Sequence, residues 1–240
     1  MRQAGKIVGT VLEILRHQVK PGMKTKELDI IAAREVEKLG AKPSFKGYRG
    51  FPAALCVSIN DEIVHGIPGE RVLHEGDIVS LDFGAIFNGF QGDAAVTVGV
   101  GKIAPGAKQL IETTKGSLEA GIAAARPGAT LGDISAAIQN YAESRGYSVV
   151  REYTGHGIGR EMHEEPQIPN FGLRGTGPVL KKGMTLALEP MVNIGDWRTR
   201  LGDDFWTVLT ADGSLSAHFE HTIAITEAEP EVLTIKDGKL

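Results

Sequence analysis

An internal repeat constrains the fold of this chain more than any other feature of its sequence. Lys20-Pro21-Gly22 recurs as Arg126-Pro127-Gly128, and Gly40 recurs at the same spacing as Gly146. Each copy has the pattern of a helix, a Pro-Gly turn and a second helix, which lies near 25–39 or 131–145. A glycine ends the second helix. Pro-Gly turns are common in unrelated proteins, but matched stretches in one order at one spacing indicate a duplication.

The repeat continues into two segments that are typical of strands. Leu73 through Asp82 (LHEGDIVSLD) is similar to Leu180 through Glu189 (LKKGMTLALE), since each is a short apolar strand that ends in a carboxylate. If a pseudo-twofold relates the halves, these two carboxylates lie in equivalent places and converge at the junction. The expected fold is α+β, with a central, largely antiparallel sheet covered on one side by helices. We expect one domain over 1–240, with halves of approximately 1–104 and 105–240.

Composition excludes several classes of protein. The 240 residues are 42% hydrophobic and 23% charged, which is the balance of a chain that buries a core rather than a disordered one. The formal net charge of −4 gives no basic surface for nucleic acid. No long apolar run predicts a membrane or export segment, and a single cysteine, Cys56, fits the reducing cytoplasm. We therefore expect a cytoplasmic protein without a membrane or specific nucleic-acid partner. We also expect a monomer, because no apolar stripe in the sequence indicates a dimer.

Two aspartates of the first half are expected on adjacent strands. Asn88-Gly89 lies between apolar segments and indicates a two-residue hairpin turn. Counting outward from this turn pairs Asp82 with Ala95, and Asp93 then lies on the face that carries Asp82. An isolated aspartate is most often a solvated turn residue. Two on one face of an apolar hairpin repel each other unless a cation or a proton lies between them.

Three further candidate metal ligands lie in the second half. His156 lies in TGHGIGREMHEEP, between glycines that allow close backbone approach. Glu189 ends the apolar strand MTLALEP, and Glu220 lies in AHFEHTIAIT, where a carboxylate is unfavourable unless it is paired or binds metal. With Asp82 and Asp93 they form an oxygen-rich set that suits Mn²⁺, Fe²⁺, Co²⁺ or Zn²⁺ in a two-metal cluster. Such a pair of ions activates a bridging water and polarises a carbonyl, which predicts hydrolysis.

Five motifs of this sequence resemble the methionine aminopeptidases, specifically their short bacterial type I form. The motifs are GYRGFPAALCVSINDEIVHGIP, DFGAIFNGFQGDAAVT, TGHGIGREMHEEPQIPN, LALEPM and LSAHFEHT, and the similarity covers essentially the whole chain. The resemblance implies the pita-bread fold, whose halves are duplicated, as one catalytic domain. It also implies a metal-dependent hydrolase that removes the initiator methionine from nascent proteins and peptides at the ribosome when the second residue is small.

The resemblance assigns metal-binding roles to the candidate residues. The ligands of two divalent ions per chain, Co, Mn, Fe or Zn, would be Asp82, Asp93, His156, Glu189 and Glu220. Asp93 and Glu220 would bridge the ions, Asp82 would complete one of them, and His156 and Glu189 would complete the other. Glu189 would also accept a proton from the metal-activated water.

The resemblance also assigns a substrate site. His65, in IVHGIP, and His163 would contact the substrate and stabilise the tetrahedral intermediate, so that they are catalytic together with Glu189. The methionine side chain would lie among Phe45, Tyr48, Phe51, Cys56, Met162 and Trp206.

Without the resemblance, the residue types favour plainer interpretations. An aromatic cluster is most often core, and His65 and His163 would most often be structural histidines. His218 and His221 flank Glu220 and are expected to alternate away from it along a strand, so neither belongs to the expected site.

Two competing functions remain open from the sequence. A proline-specific aminopeptidase or a prolidase shares the ligand set, but carries a large N-terminal domain that does not occur in these 240 residues. A non-enzymatic pita-bread protein binds nucleic acid or protein and has typically lost several ligands, whereas all five are present here. Met-Ala-Ser and Xaa-Pro peptides offered to metal-loaded protein would separate these possibilities. Cleavage of the Xaa-Pro peptide alone would favour the proline-specific enzyme, and cleavage of neither would favour a binding role.

Overall fold

The computed structural model describes residues 1–235. Its helices are α1 (Arg2–Gln18), α2 (Thr25–Lys38), α3 (Pro105–Ala124) and α4 (Leu131–Glu143). Its strands are β1 (Lys42–Pro43), β2 (Cys56–Ile59), β3 (Glu62–Val64), β4 (Ile78–Phe87), β5 (Phe90–Gly99), β6 (Ser148–Val149), β7 (Thr154–Gly157), β8 (Glu164–Pro169), β9 (Thr185–Leu188), β10 (Met191–Asn193), β11 (Thr199–Leu201), β12 (Val208–Thr210), β13 (Ser216–His218), β14 (Glu220–Ala224) and β15 (Glu231–Val232). A 3₁₀ turn covers Tyr48–Gly50.

One antiparallel sheet joins the two halves of the chain. Its strand order is β1-β4-β5-β14-β9-β7-β8, with β2 also paired to β4 and β15 to β14. Every pairing in it is antiparallel. The halves meet where β5 pairs with β14, so the expected central antiparallel sheet is confirmed.

The turn before the second helix has the same backbone hydrogen bond in both halves. The Gly22 amide donates to the Leu73 carbonyl, and the Gly128 amide donates to the Leu180 carbonyl. The φ values of Gly22 and Gly128 are +85° and +86°, in the left-handed region that favours glycine. The duplication that the sequence predicts is therefore present as matched backbone geometry.

The two second helices also begin in the same way. The Glu27 carboxylate accepts a hydrogen bond of 2.7 Å from the Lys24 amide at the start of α2. The Asp133 carboxylate accepts one of 2.8 Å from the Thr130 amide at the start of α4. Each carboxylate also lies in the first turn of its helix, where the helix dipole favours negative charge.

The helices cover one face of the sheet and leave the other face for a site. Along β4, Leu81 and Phe83 are fully buried in the apolar cluster that contacts α1 and α2. Because successive strand residues point to opposite faces, Asp82 and Gly84 lie on the other side. A second apolar cluster, which includes Ile134, packs α3 and α4 on the second half. Among residues 1–235, no helix combines the length and the apolar character that a membrane span needs.

Two small sheets flank the uncovered face. One has the order β13-β10-β6 and the other the order β11-β12-β3. His65 directly follows β3, and Trp206 precedes β12 by two positions. These sheets therefore bring loop residues toward the same region as the strand residues of the central sheet.

Candidate metal centre

The backbone register places Asp82 and Glu220 in one row across the sheet. β4 pairs Asp82 with Ala95 of β5, and β14 pairs Glu220 with the same Ala95 from the other side. Residues that pair directly across strands point to the same face. The turn residues Asn88 and Gly89 both have positive φ, as the predicted hairpin requires. The register predicted from that turn is confirmed.

A second row brings in Asp93 and His156. Asp93 lies two residues from Ala95, and its backbone amide donates to Thr222 Oγ1 at 3.0 Å while that hydroxyl donates back to the Asp93 carbonyl at 2.7 Å. Thr222 pairs with Ala187, which pairs with His156. The two rows are two residues apart and share one face of the sheet.

Imidazole and carboxylate atoms converge at this point. Asp93, His156 and Glu220 each offer a ligand atom within 4.8 Å of the others. Glu189 directly follows β9, with its Oε1 3.5 Å from His156 Nε2. His156 Nδ1 donates to the Gly157 carbonyl at 2.9 Å, which leaves Nε2 free toward the carboxylates. A hydrogen bond from the other ring nitrogen usually orients a metal-binding histidine in this way.

The buried carboxylates lack the partners that their charge needs. Within residues 1–235, no hydrogen-bond partner reaches Asp82 Oδ1, Asp93 Oδ1 or Glu220 Oε1. Burial raises the pKa of Asp82, Glu189 and Glu220 well above the usual carboxyl range, and neighbouring carboxylates add to the effect. Burial also raises the pKa of Asp93. Divalent cations supply the missing positive charge, so the donor set fits a metal centre.

An apolar cavity of about 140 Å³ adjoins these carboxylates. It is well below the roughly 300–1,000 Å³ of pockets for drug-sized ligands, so it has room for one side chain rather than a long segment. Five of the six residues expected around a methionine side chain line it, together with His65 and His163: Phe45, Tyr48, Phe51, Cys56 and Trp206.

Aromatic and apolar side chains form part of the cavity wall, together with Arg49 and the carboxylates. The rings of Phe51 and Trp206 meet edge to face, with their centroids 5.2 Å apart. Cys56 pairs with Asp82 across β2 and β4, and burial raises the pKa of its thiol well above the usual range. Met162, the sixth expected residue, is buried in the same apolar cluster but lies outside the residues that line the cavity.

His163 lies at the solvent-exposed side of the cavity. Its Nδ1 is 2.9 Å from the Tyr48 hydroxyl, and its ring centroid is 4.3 Å from that of His156. Partial burial lowers the pKa of His163 to about 4, and the His156 ring and the Arg49 guanidinium act in the same direction. The imidazole is therefore neutral at pH 7 and carries one N–H donor.

His65 has an unusual backbone conformation. Its φ of 61° lies in the left-handed region, which costs a non-glycine residue about 1–3 kcal/mol and is common at active sites. Burial lowers the pKa of His65 to about 4, so this ring is also neutral at pH 7. Its closest aromatic neighbour is Tyr153, whose ring centroid lies 6.0 Å away at a steep angle.

One histidine that the sequence analysis excluded lies against the carboxylates. His218 Nε2 is 3.9 Å from Glu220 Oε2 and 4.0 Å from Glu189 Oε2, and the residue is 1% exposed. The expectation that His218 alternates away from Glu220 is wrong, because strand residues two positions apart share a face. His221 does point away and contacts Thr234 Oγ1 at 2.9 Å through its Nδ1.

Comparison with known proteins identifies the family. The model of metallopeptidase family M24 matches residues 1–227. A methionine aminopeptidase of Clostridium acetobutylicum is 55% identical over 236 residues, which cover 98% of this chain and 94% of that relative. The chain belongs to metallopeptidase family M24, among the methionine aminopeptidases. It is therefore a hydrolase that uses divalent metal, and the resemblance to the bacterial type I form is confirmed.

Solved structures confirm the pita-bread fold. The crystal structure of the methionine aminopeptidase from Thermotoga maritima superposes with a TM-score of 0.97 at 51% identity, covering 98% of this chain and 95% of that one. Prolidase from Pyrococcus furiosus superposes with a TM-score of 0.80 at 22% identity, and the match covers 98% of this chain and 63% of that one. The second likeness shows a shared fold alone.

Proposed function

We propose that this methionine aminopeptidase removes the N-terminal methionine from nascent proteins and peptides when the second residue is small. The observation that carries the proposal is a set of buried carboxylate oxygens without hydrogen-bond partners among residues 1–235, beside an apolar cavity of about 140 Å³. Such oxygens need cations, and such a cavity takes one unbranched side chain. The two features together fit metal-dependent cleavage after a terminal methionine.

We assign the metal ligands from the order of the strands. The proposed ligands of two divalent ions are Asp82, Asp93, His156, Glu189 and Glu220. Asp93 and Glu220 lie on the adjacent central strands β5 and β14, which supports a bridging role. Asp82 lies on β4, which pairs with the other edge of β5. It would complete the coordination of one ion, while His156 and Glu189 would complete that of the other. Mn²⁺, Fe²⁺, Co²⁺ and Zn²⁺ all suit these ligands, and when bound they activate water and polarise a carbonyl.

Three side chains act on the substrate in this proposal. The neutral His163 donates a hydrogen bond to the substrate carbonyl oxygen as negative charge develops on it. His65 contacts the substrate from the loop after β3. Glu189 accepts a proton from the attacking water and passes it to the leaving amine.

The proposed limit on the second residue rests on the resemblance to the methionine aminopeptidases and is steric in origin. The cavity accommodates the methionine side chain among aromatic walls, and a hydrophobic pocket discriminates by only about 1–3 kcal/mol per methylene. Rejection of a large second residue must therefore be steric. We further propose that the chain acts as a monomer, as one catalytic domain over 1–240, on nascent chains at the ribosome in the cytoplasm, without a specific nucleic-acid or membrane partner.

A peptide series tests the proposal directly. Met-Ala-Ser, Met-Trp-Ser and an Xaa-Pro peptide are offered to protein loaded with Mn²⁺ or Co²⁺, and metal content is measured in parallel. We expect two ions per chain and release of methionine from Met-Ala-Ser alone. Comparable turnover of Met-Trp-Ser would contradict the small second residue, and cleavage of the Xaa-Pro peptide alone would indicate a prolidase-like activity.

A further inference from the structure

A tyrosine and a histidine of the cavity meet across the two halves of the chain. The Tyr48 hydroxyl lies 2.9 Å from His163 Nδ1, and the two residues are 115 positions apart in sequence. Their rings stack, with centroids 5.4 Å apart and planes inclined by 20°. Tyr48 therefore has both the contact distance and the ring orientation of a residue that fixes an imidazole in place.

Backbone hydrogen bonds hold the main chain at Tyr48 in a tight turn. The Tyr48 amide donates to the Phe45 carbonyl at 2.9 Å, and the Phe51 amide donates to the Tyr48 carbonyl at 2.9 Å. Gly47 and Arg49 on either side both have positive φ, which bends the chain into a tight 3₁₀ turn. The Arg49 guanidinium lies 5.4 Å from the centre of the Tyr48 ring. The turn fixes the main chain from which the phenol projects.

The hydrogen bond selects one of two forms of the imidazole. A neutral imidazole has one N–H donor and one acceptor nitrogen, and the partner of one nitrogen decides which nitrogen carries the proton. His163 Nδ1 is the hydrogen-bond partner that residues 1–235 provide for the Tyr48 hydroxyl. A phenol has one proton to donate, and a basic ring nitrogen is the better acceptor of it. Nε2 then carries the proton of the ring.

We propose that Tyr48 is a positioning residue, whose hydroxyl donates to His163 Nδ1 and thereby holds the imidazole in the form that presents an Nε2–H donor to the substrate carbonyl oxygen. The inference rests on the proposed role of His163 as a hydrogen-bond donor to that oxygen. The opposite form would turn a lone pair of Nε2 toward the lone pairs of the carbonyl, which is repulsive.

A wall residue and a positioning residue respond differently to removal of one oxygen. Tyr48→Phe keeps the ring that lines the cavity and deletes the hydroxyl alone. A wall role therefore predicts an unchanged kcat, whereas a positioning role predicts a lower kcat with little change in KM. Tyr153→Phe is a matched control, since it deletes a hydroxyl from the tyrosine next to His65 instead.

The decisive measurement is the position of the proton on His163. In zinc-loaded protein labelled with ¹⁵N-histidine, long-range ¹H–¹⁵N correlations distinguish Nδ1–H from Nε2–H, and His163→Gln identifies the signal. We expect Nε2–H in the unmodified protein and in Tyr153→Phe, and a mixture of the two forms in Tyr48→Phe. We expect kcat of Tyr48→Phe to fall on the order of tenfold, as for the loss of one hydrogen bond, with unchanged metal content and circular dichroism.

Each alternative result overturns a defined part of the inference. An Nδ1–H signal in the unmodified protein, or an unchanged signal in Tyr48→Phe, would overturn the proposed donation by Tyr48. If Tyr48→Phe shifts the proton but both it and His163→Ala keep normal turnover, the positioning role is overturned because His163 itself does not act on the substrate. The spectroscopic result does not depend on activity, so failure of the proposed function is distinguishable from failure of the hydrogen bond.

Discussion

Asp82 and Glu220 lie on opposite sides of Ala95, each paired directly with it across a neighbouring strand. Their backbones are therefore two strand spacings apart, or about 9–10 Å, a distance that backbone hydrogen bonds determine rather than the side chains themselves. One carboxylate comes from the first half of the chain and the other from the second. The gap between them is wide enough for ions and for the side chain of Asp93, which lies on the strand between them.

Glu220→Gln should lose metal and activity together. The change keeps the shape of a buried side chain but removes the charge of a proposed bridging ligand, which is 2% exposed. The matched control is Glu231→Gln on the neighbouring strand β15, which deletes an exposed carboxylate that pairs with Arg2. Metal content and kcat are measured for both variants. Normal metal binding by Glu220→Gln would remove this residue from the ligand set.

His163→Ala should keep its metal and lose turnover. The side chain faces the cavity mouth and lies next to the His156 ring without being one of the proposed ligands. Losing one hydrogen-bond donor to a developing oxyanion typically lowers kcat by about 10²–10³. The same two measurements are made as for Glu220→Gln. Loss of metal from His163→Ala would show that His163 is a ligand. Normal turnover of this variant would show that its role is purely structural.

Metal-free protein should become more stable as the pH falls from about 8 to about 6.5. A carboxyl whose folded-state pKa lies above its unfolded-state pKa holds its proton more tightly in the folded protein, so folding is favoured as the pH falls toward the raised pKa. Burial raises the pKa of Asp93 to about 7, which lies in this pH range, and it raises the pKa of Asp82, Glu189 and Glu220 well above the usual range. Histidines whose pKa is lowered by burial change the stability in the opposite direction, but only below their unfolded-state pKa of about 6.5.

Urea unfolding of chelator-treated protein at several pH values measures this dependence. Glu220→Gln removes one of the buried carboxyls and should show a smaller change in the free energy of unfolding over the same pH range. Protein reloaded with metal should lose the dependence, because bound cations keep the carboxylates ionised. A free energy of unfolding that rises with pH in metal-free protein would contradict the raised pKa values.

Gly84→Ala should narrow the methionine cavity. A Cβ at Gly84 would lie 2.9 Å from both the Phe45 ring and Ser44 Cβ and 3.1 Å from the end of Met162, so these neighbours must move. Overpacking of this kind costs about 1–3 kcal/mol of stability, and displacement of Phe45 should raise KM for Met-Ala-Ser. Gly92→Ala is the control, since its Cβ would meet the backbone of Ala4 on the helix side instead. An unchanged KM in Gly84→Ala would show that the cavity tolerates the added methyl group.

The sequence predicts those parts of the site that depend on local rules. Asn88-Gly89 determines the hairpin register, and with it the pairing of Asp82 and Ala95, because the turn type sets the pairing over the ten residues of each strand. The same period of two places His218 on the face of Glu220, so the position of this histidine also follows from a local rule. The hydrogen bond between Tyr48 and His163 has no local signal. It depends on how two distant loops meet, which the order of strands in the sheet determines.

Strand β14 carries Glu220, lies between β5 and β9 at the centre of the sheet, and is the last ligand-bearing strand along the chain. Protein synthesis proceeds from the N-terminus at about 5–20 residues per second, so the first four proposed ligands are made before the strand that unites them. Until β14 is inserted, the edges of β5 and β9 lack their partner. The order of synthesis thus delays activity in each new copy until β14 has been made, and a product that stops before β14 lacks a proposed bridging ligand.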